Sequence, residues 1–168
     1  MTASLYAQGK GAPVDMATDL KRNYEGGKTK ILAAAEQMPE DQYGLKPSPD
    51  ANPFSYWVAH LADLQANFCG GVNGAPKQLN AAQKTSKADL VAALKESFTI
   101  CDTAYNATTP ANMNEDVQTF SGPRPRLSWL WFNVAHNEEG YGSMAIYLRM
   151  RTIVPPSTAA RQKGKGKQ

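Results

Sequence analysis

The 168-residue sequence lacks most of the features that would assign it quickly to a class of protein. No apolar run approaches the roughly 18 residues that cross a membrane, so we expect no membrane partner. The formal net charge is only +3 and no helix face is predominantly basic, which does not favour a nucleic-acid partner. Much of the basic charge lies in a tail that is more simply interpreted as a solvated end, at Arg161, Lys163, Lys165 and Lys167.

Histidine and cysteine are equally scarce, with two of each. The chain is long enough to bury a core without disulfides or a structural metal. Cys69 and Cys101 neither require nor exclude an oxidising compartment. The N-terminal segment lacks the charged and apolar regions of a signal peptide, but the Gly-rich sequence after Ala7-Gln8 is typical of the start of a mature, exported chain. We therefore expect a bacterial periplasmic or secreted protein, with the cytoplasm as the alternative.

The alternation of apolar and polar residues that marks a β-strand is also missing. Instead, apolar residues recur at three- and four-residue steps in four segments, residues 15–38, 53–68, 86–105 and 127–150. Asp15 and Ser86 are well suited to cap the first and third of these helices. Four helices without strands predict an all-α protein built as a four-helix bundle.

The predicted bundle is one domain over residues 15–157. Residues 1–14 are interpreted as a flexible N-terminal segment and residues 158–168 as a basic disordered tail. Between the third and fourth helices, the polar segment of residues 108–126 is long enough to form a crossover or a lid over a pocket.

Two stretches carry a resemblance to a known family. The first is Phe54–Asp63, with the sequence FSYWVAHLAD, in the second helix. The second is His136–Gly142, with the sequence HNEEGYG, followed by the sequence IVPPS at residues 153–157. Together they resemble the DinB/YfiT-like family of four-helix-bundle metalloproteins. The resemblance implies a bundle with a crossover connection, a small-molecule ligand and, in many relatives, a homodimer.

In that family one histidine on the second helix and two on the fourth bind a divalent metal. By resemblance, His60 and His136 match two of these ligands, but Gly140 stands where the third histidine would be. Two imidazoles from separate helices remain, so the resemblance implies a degenerate site for zinc, nickel or manganese, if it binds metal at all. The candidate supporting acids are Asp63, Glu138 and Glu139.

The resemblance implies a polar pocket shared by the two histidines, with its candidate lining residues being Trp57, Phe132, Asn133 and Gly140. A simpler alternative is that Phe132 or Trp57 fills the space left at Gly140. The missing histidine favours a bundle that binds a small molecule or has no catalytic activity. The alternative is a metal-dependent thiol S-transferase or hydrolase-like enzyme, in which a carboxylate or water replaces the third histidine.

The two cysteines could form a disulfide, depending on helix direction. Cys69 lies about as far into the second helix as Cys101 lies into the third, so in parallel helices the sulfur atoms would be at the same depth. In antiparallel helices they would be about 20 Å apart and could not bond. The crossover connection that the resemblance implies favours the parallel arrangement, and a disulfide would support export.

Overall fold

The computed structural model describes residues 14–165. Four long helices dominate it: α1 (Met16–Gln37), α2 (Phe54–Val72), α3 (Lys87–Ala107) and α4 (Arg126–Met150). A short hairpin of β1 (Asp116–Thr119) and β2 (Gly122–Pro125) precedes α4, and α5 (Pro156–Lys165) follows it. Single 3-10 turns form at Glu40–Gln42 and Ala81–Gln83. None of the helices described is long and apolar enough to cross a membrane.

The predicted helix starts are confirmed by their caps. The Asp15 carboxylate accepts a hydrogen bond from the backbone N–H of Thr18 at 3.0 Å. The Ser86 hydroxyl accepts one from the N–H of Asp89, also at 3.0 Å. Each bond satisfies a backbone donor that the first helical turn leaves free, so these residues define where α1 and α3 begin.

Helices α2 and α3 run parallel, and α1 and α4 run in the opposite direction. Contacts between α2 and α3 advance in step, from Gln65 against Ser97 to Cys69 against Cys101. The connection after α2 must therefore return along the bundle before α3 begins. This confirms the all-α bundle with a crossover connection, and it places α4 antiparallel beside α2.

The core is formed where the four helices meet. Tyr24 and Tyr105 stack there with ring centroids 3.8 Å apart, and both side chains are buried. Each hydroxyl has a partner: Tyr24 donates to Asp102, and Tyr105 donates to the carbonyl oxygen of Leu130. Large buried rings with satisfied polar ends supply much of the apolar contact that holds the bundle together.

Three segments differ from the sequence-based expectation. The polar segment expected to contain no strand includes the hairpin, whose four-residue strands are too short to show alternation. It turns through Phe120 and Ser121, and Gly122, with φ +92°, begins the second strand. Helix α2 continues past the expected stop at Gly70-Gly71 to Val72, and Gly70 packs so closely on the following loop that an added Cβ would lie 2.8 Å from the carbonyl oxygen of Ala75. Residues 158–165 of the tail expected to be disordered lie in α5, whose first turn is fixed by the N–H of Ser157 donating to the Tyr141 hydroxyl, and residues 166–168 lie outside the described residues. Residues 1–13 of the expected flexible N-terminal segment lie outside the described residues.

Candidate histidine site

His60 on α2 and His136 on α4 meet at the junction of the two antiparallel helices. Their Nε2 atoms are 3.1 Å apart and their rings are inclined by 54°. This is hydrogen-bond distance, so one imidazole donates its N–H to the lone pair of the other. The shared bond requires that at least one ring is neutral. The structure thus brings together the two histidines that the sequence singled out.

Burial is the main influence on the charge of both rings. It lowers the pKa of His60, against a smaller opposing effect of the negative charges on Glu139 and Asp63. It also lowers the pKa of His136, where the charge of His60 adds to the effect and Glu139 opposes it. The pair is therefore predominantly neutral at pH 7 and above.

The second ring nitrogen of His136, the one outside the histidine–histidine bond, has an unusual environment. Its Nδ1 atom is buried and has no hydrogen-bond partner among residues 14–165. An unpaired buried N–H would be costly, so the favourable tautomer has His136 donating through Nε2 and a bare lone pair on Nδ1. His60 is then the acceptor in the pair.

Leu61 occupies the direction in which a side chain would leave residue 140. A Cβ added to Gly140 would lie 2.7 Å from Leu61 Cδ2 and 3.0 Å from Leu61 Cγ. Leu61 is fully buried, so its side chain has little freedom to move aside. The expectation left open whether Phe132 or Trp57 fills this space, and the structure places Leu61 there instead.

The Asp63 carboxylate is hydrogen-bonded to the backbone. Its oxygens accept hydrogen bonds from the N–H groups of Ala81 and Ala82 at 2.8 and 3.0 Å. Asp63 thereby fixes the turn that ends the crossover connection against α2. It affects His60 through charge alone.

The two glutamates of α4 differ in their surroundings. Glu138 forms an ion pair with Lys30 of α1 at 2.7 Å. Glu139 is exposed and acts on the histidines through its charge. Within residues 14–165 no group of three histidine, cysteine, aspartate or glutamate side chains is placed to hold a metal ion. The residues present therefore do not fit the three-ligand site of the family.

The expected pocket-lining residues do not surround one cavity. Trp57 lies edge-on to His60 and donates through Nε1 to the Tyr147 hydroxyl at 3.2 Å. Phe132 is 52% exposed and packs edge-on against Phe68. Asn133 is fully buried on another side of α4 and donates to the Tyr105 hydroxyl at 3.0 Å. Of the four candidates, Trp57 contacts His60 directly, and Phe132 and Gly140 lie one turn of α4 on either side of His136.

A groove of about 350 Å³ opens beside His60, along the outer side of α2. Its lining residues are Pro53, Ser55, Tyr56, Ala59, His60, Asp63, Leu64, Ala82 and Lys84. Sequence analysis missed Tyr56 and Lys84 in this role. The four-residue step from Tyr56 to His60 was a usable signal for a shared helix face, whereas nothing local marks Lys84, which arrives through the crossover connection.

Cys69 and Cys101 are joined by a disulfide between α2 and α3. Their Cα atoms are 4.9 Å apart and both side chains are fully buried. The amide nitrogen of Asn133 lies 3.8 and 3.9 Å from the two sulfur atoms. The disulfide lies behind the histidine pair, in the interior of the bundle, where it holds the parallel helices in register.

Comparisons with known proteins agree with this architecture. The chain resembles a DinB-like protein from Bacillus cereus ATCC 10987, with TM-score 0.70 and 11% identity over 82% of this chain and 93% of that one. A member of the DinB family from Exiguobacterium sibiricum 255-15 gives TM-score 0.63 and 14% identity, over 84% and 95%. A mycothiol-dependent maleylpyruvate isomerase gives 0.61 and 14%, over 78% and 61%. These likenesses concern the fold.

Sequence comparison gives the family. No curated protein sequence matches the chain. The family model described as the DinB superfamily matches residues 24–143, a range that includes both histidines and both cysteines. Because that match covers well over half of the chain, and the helices have the DinB arrangement, the protein belongs to the DinB superfamily.

Proposed function

We propose that this protein is a DinB bundle that binds a small organic molecule beside His60 and has lost the tight metal site of its family. The observation that carries the proposal is the position of Leu61 in the space that a side chain at residue 140 would need. A third imidazole has no room there while Leu61 keeps its place. The two remaining histidines bond to each other at 3.1 Å and need no ion to satisfy them.

The surroundings of the histidines support the same conclusion. A metal-bound imidazole ordinarily donates its second N–H to a carboxylate, carbonyl or water, which fixes the ring for coordination. The buried Nδ1 of His136 has no such acceptor within residues 14–165. Asp63 and Glu138 are already bonded to backbone N–H groups and to Lys30, and Glu139, the acid of α4 whose charge acts on both histidines, is exposed. A tight site that used Asp63 or Glu138 would have to break these contacts first.

The groove supports binding of a small molecule. It has the volume at the lower end of small-ligand sites, about 300–1,000 Å³. It combines apolar walls with a few polar groups, and His60 forms part of its lining. Besides His60, the polar side chains that line the groove are Ser55, Tyr56, Asp63 and Lys84, and Asp63 is already bonded to backbone N–H groups, which favours binding over catalysis.

Calorimetric titration of the untagged protein with zinc at pH 7.5 tests whether the protein lacks a tight metal site. We expect no stoichiometric binding by the wild-type protein. The double variant Gly140→His with Leu61→Ala should gain a site, because it supplies the third imidazole and removes the side chain that blocks it. Gly142→His adds a histidine on the exposed side of the same helix and serves as the matched control, with no gain expected.

The second candidate function is a metal-dependent thiol S-transferase or hydrolase-like enzyme. One observation favours it: two nitrogens bound to one zinc ion lie roughly 3.3 Å apart, close to the Nε2 separation found here. Stoichiometric zinc retained by the wild-type protein and lost in His60→Gln and His136→Gln would support this function and contradict the first proposal.

A further inference from the structure

We infer that the groove beside His60 takes a small aromatic carboxylate, an assignment that rests on the proposed small-molecule function. Three features of the groove lead to it: its apolar walls, the partly exposed ring of Tyr56, and the ammonium group of Lys84, which is not paired within residues 14–165. Each restricts the ligand in a different way.

The walls restrict the size and polarity of the ligand body. Pro53, Ala59, Leu64 and Ala82 present mainly carbon to the groove. A volume of about 350 Å³ accommodates one ring with a short side chain. Covering a ring with apolar surface of this kind makes binding more favourable, whereas a strongly hydrated sugar or polyol would gain no binding free energy from it.

Tyr56 supplies the aromatic platform. It is 38% exposed although it is a large ring, and it stacks on His60 with an interplanar angle of 14° and centroids 5.1 Å apart. Trp57 holds it from the side in an edge-to-face contact. Tyr56 is thus fixed in place with surface left open towards the groove, and a flat ligand ring packs best on such a surface.

Charge complementarity selects an anionic group. The charged side chains lining the groove are Asp63 and Lys84. Asp63 directs both oxygens at the N–H groups of Ala81 and Ala82. The Lys84 ammonium makes no hydrogen bond or ion pair with any residue described in the structure, so it is the charge left for a ligand. Ser55 and Tyr56 line the same groove, and the hydroxyl of either residue is a hydrogen-bond donor suited to a carboxylate beside Lys84.

Four probes in calorimetric or NMR titration test the assignment: 3-phenylpropionate, its amide, hexanoate and 3-phenylpropylamine. We expect 3-phenylpropionate to bind tightest, with the amide about fivefold weaker because Lys84 is exposed and its pairing is screened by water. Hexanoate should also be weaker, since it lacks the ring. Lys84→Met should remove the preference for carboxylate over amide, and Tyr56→Leu the preference for phenyl over hexyl.

Lys77→Met is the matched control, because Lys77 is an exposed lysine outside this groove. It should leave all affinities unchanged. Equal binding of acid and amide, tighter binding of the amine, or no effect of Lys84→Met would overturn the aromatic-carboxylate assignment while small-molecule binding stands. If none of the four probes binds, the aromatic-carboxylate assignment is also wrong. The zinc titration then tests separately whether the protein lacks a tight metal site.

Discussion

Leu61 of α2 and Gly140 of α4 pack against each other so closely that a side chain at residue 140 would have to displace Leu61. A Cβ on Gly140 would lie 2.7 Å from Leu61 Cδ2, inside van der Waals contact. The missing side chain on α4 is matched by a buried leucine on α2 that fills the space. The contact lets the two helices approach closely beside the histidine pair.

Replacement of this glycine should therefore be costly despite the preference of helices for alanine. We expect Gly140→Ala to lower the free energy of unfolding by about 1 kcal/mol, since overpacking costs about 1–3 kcal/mol and the gain in helix propensity offsets up to about 1 kcal/mol. Gly142→Ala, two residues on and open to solvent, should raise it by about 0.5–1 kcal/mol. Urea denaturation measures both, and stabilisation by both variants would show that Leu61 does not block position 140.

Stability should fall with acidification through the histidine pair. The pKa values of His60 and His136 are lowered in the folded protein from the ordinary 6.5, so the unfolded chain binds more protons. Their contribution is fully present above pH 6.5 and is lost as the pH falls from there through the lowered folded-state values. Urea midpoints between pH 8 and 5 should show this slope, and His136→Gln should reduce it. An unchanged slope in that variant would assign the acid sensitivity to other groups.

The disulfide should be inaccessible and strongly stabilising. Cys69 and Cys101 are fully buried and are separated by 32 residues, a loop for which the cross-link contributes about 3–4 kcal/mol. We expect no free thiol in the denatured, unreduced protein and a loss of that size in the Cys69→Ala, Cys101→Ala double variant. Thiol titration and urea denaturation provide the two measurements. Two free thiols in the unreduced protein would contradict the cross-link.

Asp63 should matter for stability, because its carboxylate holds the crossover connection against α2. Asp63→Ala removes two hydrogen bonds to backbone N–H groups and should cost about 1–3 kcal/mol. Asp50→Ala removes an exposed carboxylate from a loop and is the matched control, with a change within about 0.5 kcal/mol. Equal effects of the two substitutions would mean that Asp63 does not hold the crossover connection.

Local sequence was sufficient to predict the long helices but not the hairpin or α5. Asp15 and Ser86 cap their helices through bonds to residues three positions on, so a short window contains the whole interaction. The hairpin and α5 depend on distant partners, including Tyr141, which accepts from the N–H of Ser157. Such contacts leave little trace in the periodicity of the segment that they stabilise.

The amino-acid sequence by itself determined the bundle and the absence of a third histidine, and its resemblance to the family predicted that His60 and His136 share one region. Tertiary structure alone decided what took the place of that histidine and where the acids point. Leu61 reaches Gly140 from another helix, and Asp63 and Glu138 bond to partners outside their own helices. The physical reason is that periodicity reports which face of a helix is apolar, whereas the crossing of two packed helices decides which side chain enters which space.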